Sequence, residues 1–187
     1  FNYRIKADFH VLSEGGKILG IGFIHTRGDK VVDIERCEIV EESINHSYKA
    51  FREGLFHGGK IVASERQTLW SVYGGIMSSE NFYGGAKLPY IERIVKGRRL
   101  VVPSDGFFQI NGSLIDQLVD KVLDFAALKG KEVIIDGYCG VGLFATFLAP
   151  HARHLIGIDI HEDSVRCART NLRDMGVMNF SLVAGNM

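Results

Sequence analysis

The fold of this chain is decided by residues 133–142, which read Val-Ile-Ile-Asp-Gly-Tyr-Cys-Gly-Val-Gly. The β-branched residues before the acid predict a buried parallel strand, and the apolar segment 143–148 after the glycines predicts a helix. Such a junction presents backbone N–H groups and lets a nucleotide-like ligand approach the main chain closely. A second predicted strand ends at Asp159, where a carboxylate can accept hydrogen bonds from both hydroxyls of a ribose. The stretch therefore predicts a site for a nucleotide-containing cofactor.

Two classes of cofactor fit this layout. Gly140, Gly142 and Ala145 follow the G-x-G-x-x-A spacing of dinucleotide sites. Asp136, just before the glycines, is typical of S-adenosylmethionine sites, and a carboxylate there is unfavourable beside a pyrophosphate. It suits S-adenosylmethionine, which carries an ammonium and a sulfonium and no phosphate. Charge therefore favours S-adenosylmethionine, while a glycine turn without any ligand remains the third alternative.

Composition restricts the class of protein. The 187 residues are 46% hydrophobic and carry a net charge of +0, which argues against disorder and against a general field for nucleic acid. The three cysteines, Cys37, Cys139 and Cys167, are odd in number and far apart, which favours a reducing compartment over a disulfide framework. No apolar run reaches membrane-spanning length. We expect a cytoplasmic protein that does not associate with a membrane.

The periodicity of the chain predicts two domains. Residues 1–103 are expected to form an α+β domain, because strict alternation over 4–11 opens a β-meander and helical spacing follows over 41–57. Residues 104–187 are expected to begin with a helix that Ser113 caps and that runs to about Leu128. A βαβαβ pattern follows, which is the first half of a doubly wound, Rossmann-like parallel sheet. Short strands are also expected at 17–25, 31–36, 61–63, 69–73, 90–95 and 99–102.

A complete sheet of this kind has more strands than residues 104–187 supply. We therefore expect the chain to be a fragment of a longer protein. An unpaired edge after the third strand is expected to favour self-association.

A second motif precedes the predicted helix. Residues 107–111 read Phe-Phe-Gln-Ile-Asn, and residues 136–142 then supply Asp-x-Tyr-Cys-Gly-x-Gly. With this combination the chain resembles the RNA uracil-C5 methyltransferases, which make 5-methyluridine in tRNA and ribosomal RNA. The resemblance is strongest over 105–184 and looser over 1–100, where Tyr3-Arg4 matches the opening of the family's central domain. It implies a central α+β domain followed by a class I methyltransferase sheet, with S-adenosylmethionine as cofactor and RNA as partner.

The resemblance also implies roles for individual residues. Gln109 would reach the methionine end of the cofactor, Asp159 the ribose and Asn186 the adenine, while Tyr138 would pack at the loop. The loop itself would contribute Asp136, Gly140 and Gly142. From the residues alone, Gln109 can equally be an amide that caps backbone groups, and Asp159 a solvated acid at a strand end.

None of the three cysteines is expected to be a catalytic nucleophile. Methylation at uracil C5 requires a thiolate that adds to C6 and a base that removes the C5 proton. In the family these groups follow the second half of the sheet, so we expect them downstream of Met187 and expect this segment to be inactive alone. Cys139 is expected to be a small loop residue. Cys37 matches the place of a fourth iron–sulfur ligand, which only a full-length protein with three further cysteines would use; otherwise it is a core residue, and no metal is expected here.

The sequence leaves two interpretations of the basic residues open. Five basic residues can contact RNA phosphates or form solvated turns, namely Arg4, Lys6, Lys96, Arg98 and Arg99. The alternatives to a methyltransferase are a NAD- or FAD-dependent oxidoreductase and a non-catalytic RNA-binding module.

Overall fold

The structure, a computed structural model, describes residues 2–15, 17–27, 30–57, 66–72, 75–78, 90–104 and 106–186. Two compact units share the chain: Phe1–Leu88 with Ile110–Gly112, and Pro89–Gln109 with Ser113–Met187. This grouping differs from the expected division after residue 103 in two places. The hairpin of residues 90–103 lies in the second unit. Residues 110–112 return to the first unit, because Ile110 accepts the N–H of Ile5 at 2.9 Å and Gly112 donates to Tyr3 at 3.0 Å.

The first unit contains an antiparallel sheet and one helix. Its elements are β1 (Lys6–Glu14), β2 (Lys17–Ile24), β3 (Val31–Asp33), α1 (Glu42–Phe56), β4 (Arg66–Val72) and β5 (Gly75–Ser78). The strand order β3-β2-β1-β4-β5 confirms the predicted meander of the first three strands. Gly22 is required by close packing, because a Cβ there would lie 2.0 Å from the carbonyl oxygen of Val32. The strand expected at 61–63 lies outside the described residues.

The core of this unit follows the predicted alternation of β1, since Ala7, Phe9 and Val11 are buried against Ile44 and Tyr48 of α1. Asn45 is a polar residue among the buried positions of α1. Its side chain is buried and forms two hydrogen bonds with the backbone of one residue, Cys37. Oδ1 accepts the N–H of Cys37, and Nδ2 donates to the carbonyl of Cys37, both at 3.0 Å. A buried amide is stable there because both ends of its side chain are satisfied.

The second unit contains an antiparallel hairpin, β6 (Tyr90–Val95) and β7 (Arg98–Pro103), followed by alternating strands and helices. These are α2 (Ile115–Ala126), β8 (Val133–Gly137), α3 (Leu143–Leu148), β9 (His154–Asp159), α4 (Glu162–Asp174) and β10 (Phe180–Ala184), with a 3-10 turn at Ala149–His151. The last three strands form a parallel sheet in the order β10-β9-β8. This confirms the predicted α/β arrangement with a parallel sheet. No helix among the described residues is both long enough and apolar enough to cross a membrane.

Helix α2 corrects two details of the sequence analysis. Its N-cap position is Leu114 rather than Ser113, and no side chain of the cap residue bonds the first turn. Its C-cap is Ala127, which adopts a left-handed conformation with φ 44° and ends the helix earlier than expected. Among the apolar residues of α2 at helical spacing, Ile115 and Val119 are buried and Leu118 is exposed.

Candidate functional site

Two acids meet at the carboxyl edge of the parallel sheet. Asp136 lies next to the end of β8 and Asp159 ends β9. These strands are neighbours, and the register pairs Gly137 with Ile158. The two carboxylates therefore lie close enough that the negative charge of Asp159 raises the pKa of Asp136. The edge that the sequence predicted as a ligand site is thus an acidic one.

Asp136 is the unusual group of this edge. Burial raises its pKa to about 6, the charge of Asp159 acts in the same direction, and a hydrogen bond from the backbone N–H of Ala145 opposes them. Its Oδ2 atom is buried without a hydrogen-bond partner among the described residues. A buried carboxylate oxygen without a donor is costly when ionised, so this position favours a cationic or hydrogen-donating ligand.

Asp159 has the opposite environment. It is 8% exposed, its Oδ2 accepts the N–H of Gly140 at 2.8 Å, and its Oδ1 accepts the N–H of His161 at 2.9 Å. Asp159 is therefore not the solvated strand-end acid of the alternative interpretation. Each carboxylate oxygen can accept a second hydrogen bond, so the side chain can hold the turn and still receive ribose hydroxyls.

The turn between β8 and α3 contains three left-handed residues. The φ angles are 61° at Tyr138, 53° at Gly140 and 75° at Gly142. A Cβ at Gly140 would meet nothing within 4 Å, whereas a Cβ at Gly142 would lie 3.1 Å from the Cβ of Ala168 on α4. Gly140 thus leaves open space beside the main chain, and Gly142 permits close packing of the turn on a helix.

The other predicted site residues are less tightly connected. Tyr138 is 76% exposed, and its left-handed backbone is unfavourable for a bulky residue, a kind of strain that is frequent at functional sites. Asn186 is exposed just beyond β10, and Gln109 is half-buried after the buried Phe108. Within the described part of the chain, no hydrogen bond joins Gln109, Tyr138 or Asn186 to the two acids.

The three thiols are buried and free. Burial, followed by the charges of Asp136 and Asp159, raises the pKa of Cys139 to about 12, and burial raises that of Cys167 to about 11. Cys37 lies in the core of the first unit. A thiol with so high a pKa carries almost no thiolate near neutral pH, so Cys139 is unsuited to be a nucleophile. The described residues contain no group of three or more His, Cys, Asp or Glu that could hold a metal ion.

The basic residues of the hairpin are engaged within the second unit. Lys96 pairs with Asp120 at 2.5 Å, and Arg99 pairs with Glu92 at 2.7 Å and with Asp174 at 3.6 Å. The guanidinium of Arg98 lies 5.6 Å from the centre of the Phe147 ring. These contacts favour the interpretation of the hairpin as a structural turn, whose positive φ angles at Lys96 and Gly97 suit a two-residue connection.

One residue that contacts the turn was missed by the sequence analysis. Asn171 lies on α4 and is completely buried. Its Oδ1 accepts the N–H of Val101 at 2.7 Å, and its Nδ2 donates to the carbonyls of Val101 at 3.0 Å and Val141 at 2.9 Å. The signal in the sequence was an amide within the apolar stripe of α4, between Ala168 and Leu172.

Two proteins of similar sequence are RNA methyltransferases by name. An uncharacterized RNA methyltransferase of Clostridium acetobutylicum is 32% identical, over 98% of this chain and 51% of that protein. A second one, from Clostridium tetani, is 24% identical over 99% of this chain and 51% of that protein. The chain thus spans about half the length of these relatives.

The fold is shared with a solved structure. The crystal structure of Pyrococcus abyssi tRNA (uracil-54, C5)-methyltransferase in complex with S-adenosyl-L-homocysteine matches with a TM-score of 0.69 and 21% identity, over 98% of this chain and 56% of that one. The family model of tRNA (uracil-5-)-methyltransferases matches residues 90–185, just over half of the chain. The chain therefore belongs to the tRNA (uracil-5-)-methyltransferase family.

Proposed function

We propose that this chain is the S-adenosylmethionine-binding part of an RNA methyltransferase that modifies C5 of uridine in tRNA or ribosomal RNA. The observation that carries the proposal is the buried Oδ2 of Asp136, which lacks a partner among the described residues, on the strand that leads into the open Gly140 turn. The family membership and the S-adenosyl-L-homocysteine complex of the Pyrococcus abyssi enzyme support it.

The residues of the edge fit this cofactor. An ionised Asp136 offers an acceptor to a cation, and the cofactor carries an ammonium and a sulfonium. Asp159 has the acceptor capacity for the ribose hydroxyls, while Gly140 leaves space for the ligand beside the main chain. We assign the methionine end to Gln109, the loop-side contact to Tyr138 and the adenine side to Asn186. When bound, the cofactor supplies the methyl group, and these residues hold and orient it.

A dinucleotide fits the same edge poorly. A pyrophosphate at the turn would lie near two carboxylates, and the environment of Asp136 already disfavours negative charge. A NAD- or FAD-dependent oxidoreductase is therefore not favoured.

We place the nucleophile and the base of the reaction in the part of the protein that this chain does not span. The thiolate that must add to uracil C6 cannot come readily from Cys139 or Cys167, whose pKa values are raised to about 12 and about 11. The chain's own contribution is then cofactor binding, with RNA as the partner of the whole protein.

Calorimetric titration of the chain with S-adenosyl-L-homocysteine and with NAD tests the proposal. We expect binding of S-adenosyl-L-homocysteine and none of NAD. Asp136→Asn should weaken the binding by about tenfold or more, because it removes a charge-assisted hydrogen bond. Asp124→Asn, at an exposed position of α2, is the matched control and should leave it unchanged. Binding of NAD without binding of S-adenosyl-L-homocysteine would refute the proposal.

A further inference from the structure

The glycine turn is held by hydrogen bonds from three directions. The N–H of Gly140 is bonded to Asp159 at 2.8 Å, and the N–H of Gly142 to the carbonyl of Cys139 at 2.8 Å. Between them, the carbonyl of Val141 accepts Nδ2 of Asn171 at 2.9 Å. Strand β9 therefore holds the peptide group between Cys139 and Gly140, while the turn itself and helix α4 both hold the peptide group between Val141 and Gly142.

Asn171 supplies the hydrogen bond that ties the Val141–Gly142 peptide group to helix α4. Val141 lies between two glycines with φ angles of 53° and 75°, and glycine accepts positive and negative φ almost equally. The glycines by themselves therefore restrict the orientation of the Val141–Gly142 peptide group little. Two hydrogen bonds set that orientation: the N–H of Gly142 donates to the carbonyl of Cys139 within the turn, and Nδ2 of Asn171 donates to the carbonyl of Val141 from helix α4.

We propose that Asn171 is a positioning residue for the cofactor: it fixes the Gly140–Gly142 segment in the form that receives S-adenosylmethionine. The inference rests on the proposed function and adds to it a residue outside the loop motif. Asn171 acts through the turn and touches the main chain of Val141 rather than the ligand side of Asp136 and Gly140.

A comparison within the chain separates positioning from ordinary packing. Asn45 and Asn171 are both buried amides, and each bonds the N–H and the carbonyl of one residue, Cys37 and Val101 respectively. Only Asn171 uses its second Nδ2 proton on the glycine turn. Asn45 lies in the first unit and is thus a matched control for the loss of a buried side-chain amide.

The test replaces each amide by a carboxylate. Asn171→Asp keeps the acceptor for the Val101 N–H but places an oxygen where Nδ2 donated to two carbonyls; Asn45→Asp makes the same change at Cys37. Both variants should melt at a lower temperature. Asn171→Asp should in addition bind S-adenosyl-L-homocysteine about tenfold more weakly at a temperature where it is folded, because the turn is no longer fixed. Asn45→Asp should bind within about twofold of the unmodified chain.

Hydrogen–deuterium exchange gives a readout that a purely structural role would not move. Amides of residues 140–146 should exchange faster in Asn171→Asp than in Asn45→Asp at equal thermal stability, and saturating S-adenosyl-L-homocysteine should restore their protection in part. If Asn171→Asp does not fold, Asn171→Ala is compared with Asn45→Ala in the same assays.

Different results refute the proposed function and the positioning role of Asn171. An unmodified chain that does not bind S-adenosyl-L-homocysteine refutes the proposed function. An unmodified chain that binds, together with an Asn171 variant of unchanged affinity and unchanged exchange over 140–146, refutes the positioning role alone.

Discussion

The half-buried Asp136, whose Oδ2 atom is buried, makes a quantitative prediction about stability. Its pKa is about 6 in the folded protein against an ordinary value of 3.8. The folded state therefore holds this proton more tightly than the unfolded state does. The stabilisation from the bound proton is fully present below pH 3.8 and is lost as the pH rises to about 6. Each pKa unit corresponds to about 1.4 kcal/mol, so ionised Asp136 destabilises the fold by about 3 kcal/mol at pH 7.

Asp136→Asn removes this titration without changing the size of the side chain. The amide itself adds a constant difference in stability, because its Nδ2 would replace an oxygen without a partner, but that difference does not depend on pH. The free energy of unfolding of the variant minus that of the unmodified chain should therefore rise by about 2.5 kcal/mol between pH 4 and pH 7.5, because part of the effect is already lost at pH 4, just above the ordinary pKa of 3.8.

Urea unfolding at several pH values, followed by circular dichroism, measures this difference. Asp124→Asn, which removes an exposed carboxylate, controls for the general effect of charge removal. Unfolding curves of the unmodified chain and Asp136→Asn that keep a constant separation from pH 4 to pH 7.5 would refute the reasoning. With S-adenosyl-L-homocysteine at 100 times its Kd, the unmodified chain should gain about 2.7 kcal/mol at pH 7.5, and the variant should gain much less at the same ligand concentration.

Three further outcomes are expected. Asp159→Ala should weaken binding of S-adenosyl-L-homocysteine by about 2–3 kcal/mol, because the ribose hydroxyls lose their acceptor. It should also lower the melting temperature, because the N–H groups of Gly140 and His161 lose theirs. An unchanged affinity in calorimetry would place the ribose elsewhere. Gly22→Ala should destabilise the fold by about 3 kcal/mol or more in urea unfolding, because its Cβ would lie 2.0 Å from a backbone oxygen. Gly15→Ala is the control: its Cβ would meet nothing within 4 Å, so it should cost only about 1 kcal/mol. Iodoacetamide at pH 8 should leave Cys139 unmodified in the folded chain and label it in urea, because burial raises its pKa to about 12; rapid labelling under native conditions, seen by mass spectrometry, would contradict this.

The sequence predicted correctly those features that depend only on a local pattern of residues, such as alternation along one strand. The alternation of β1 placed Ala7, Phe9 and Val11 in the core, because a strand with one buried face has period two. The order of acid and glycines placed Asp136 and Asp159 at one edge, because parallel strands end together. Two buried amides, Asn45 and Asn171, were not recognised, because whether a polar side chain is buried depends on a peptide group distant in sequence. Leu118 likewise fits the apolar spacing of α2, although its side chain is exposed.

The two acids at the sheet edge show why residue type alone does not assign a role. Asp159 receives two backbone N–H groups, which stabilise its charge and fix the turn. Asp136, on the neighbouring strand, is half-buried and has one buried oxygen that lacks a donor among the described residues, so its charge destabilises the protein without ligand. A ligand that brings a cation to Asp136 offsets that cost most strongly, and an anionic ligand increases it. Discrimination for a positively charged cofactor thus follows from an unsatisfied acid beside a satisfied one, and Asp136→Asn should reduce this selectivity while it removes the cost of ionisation near neutral pH.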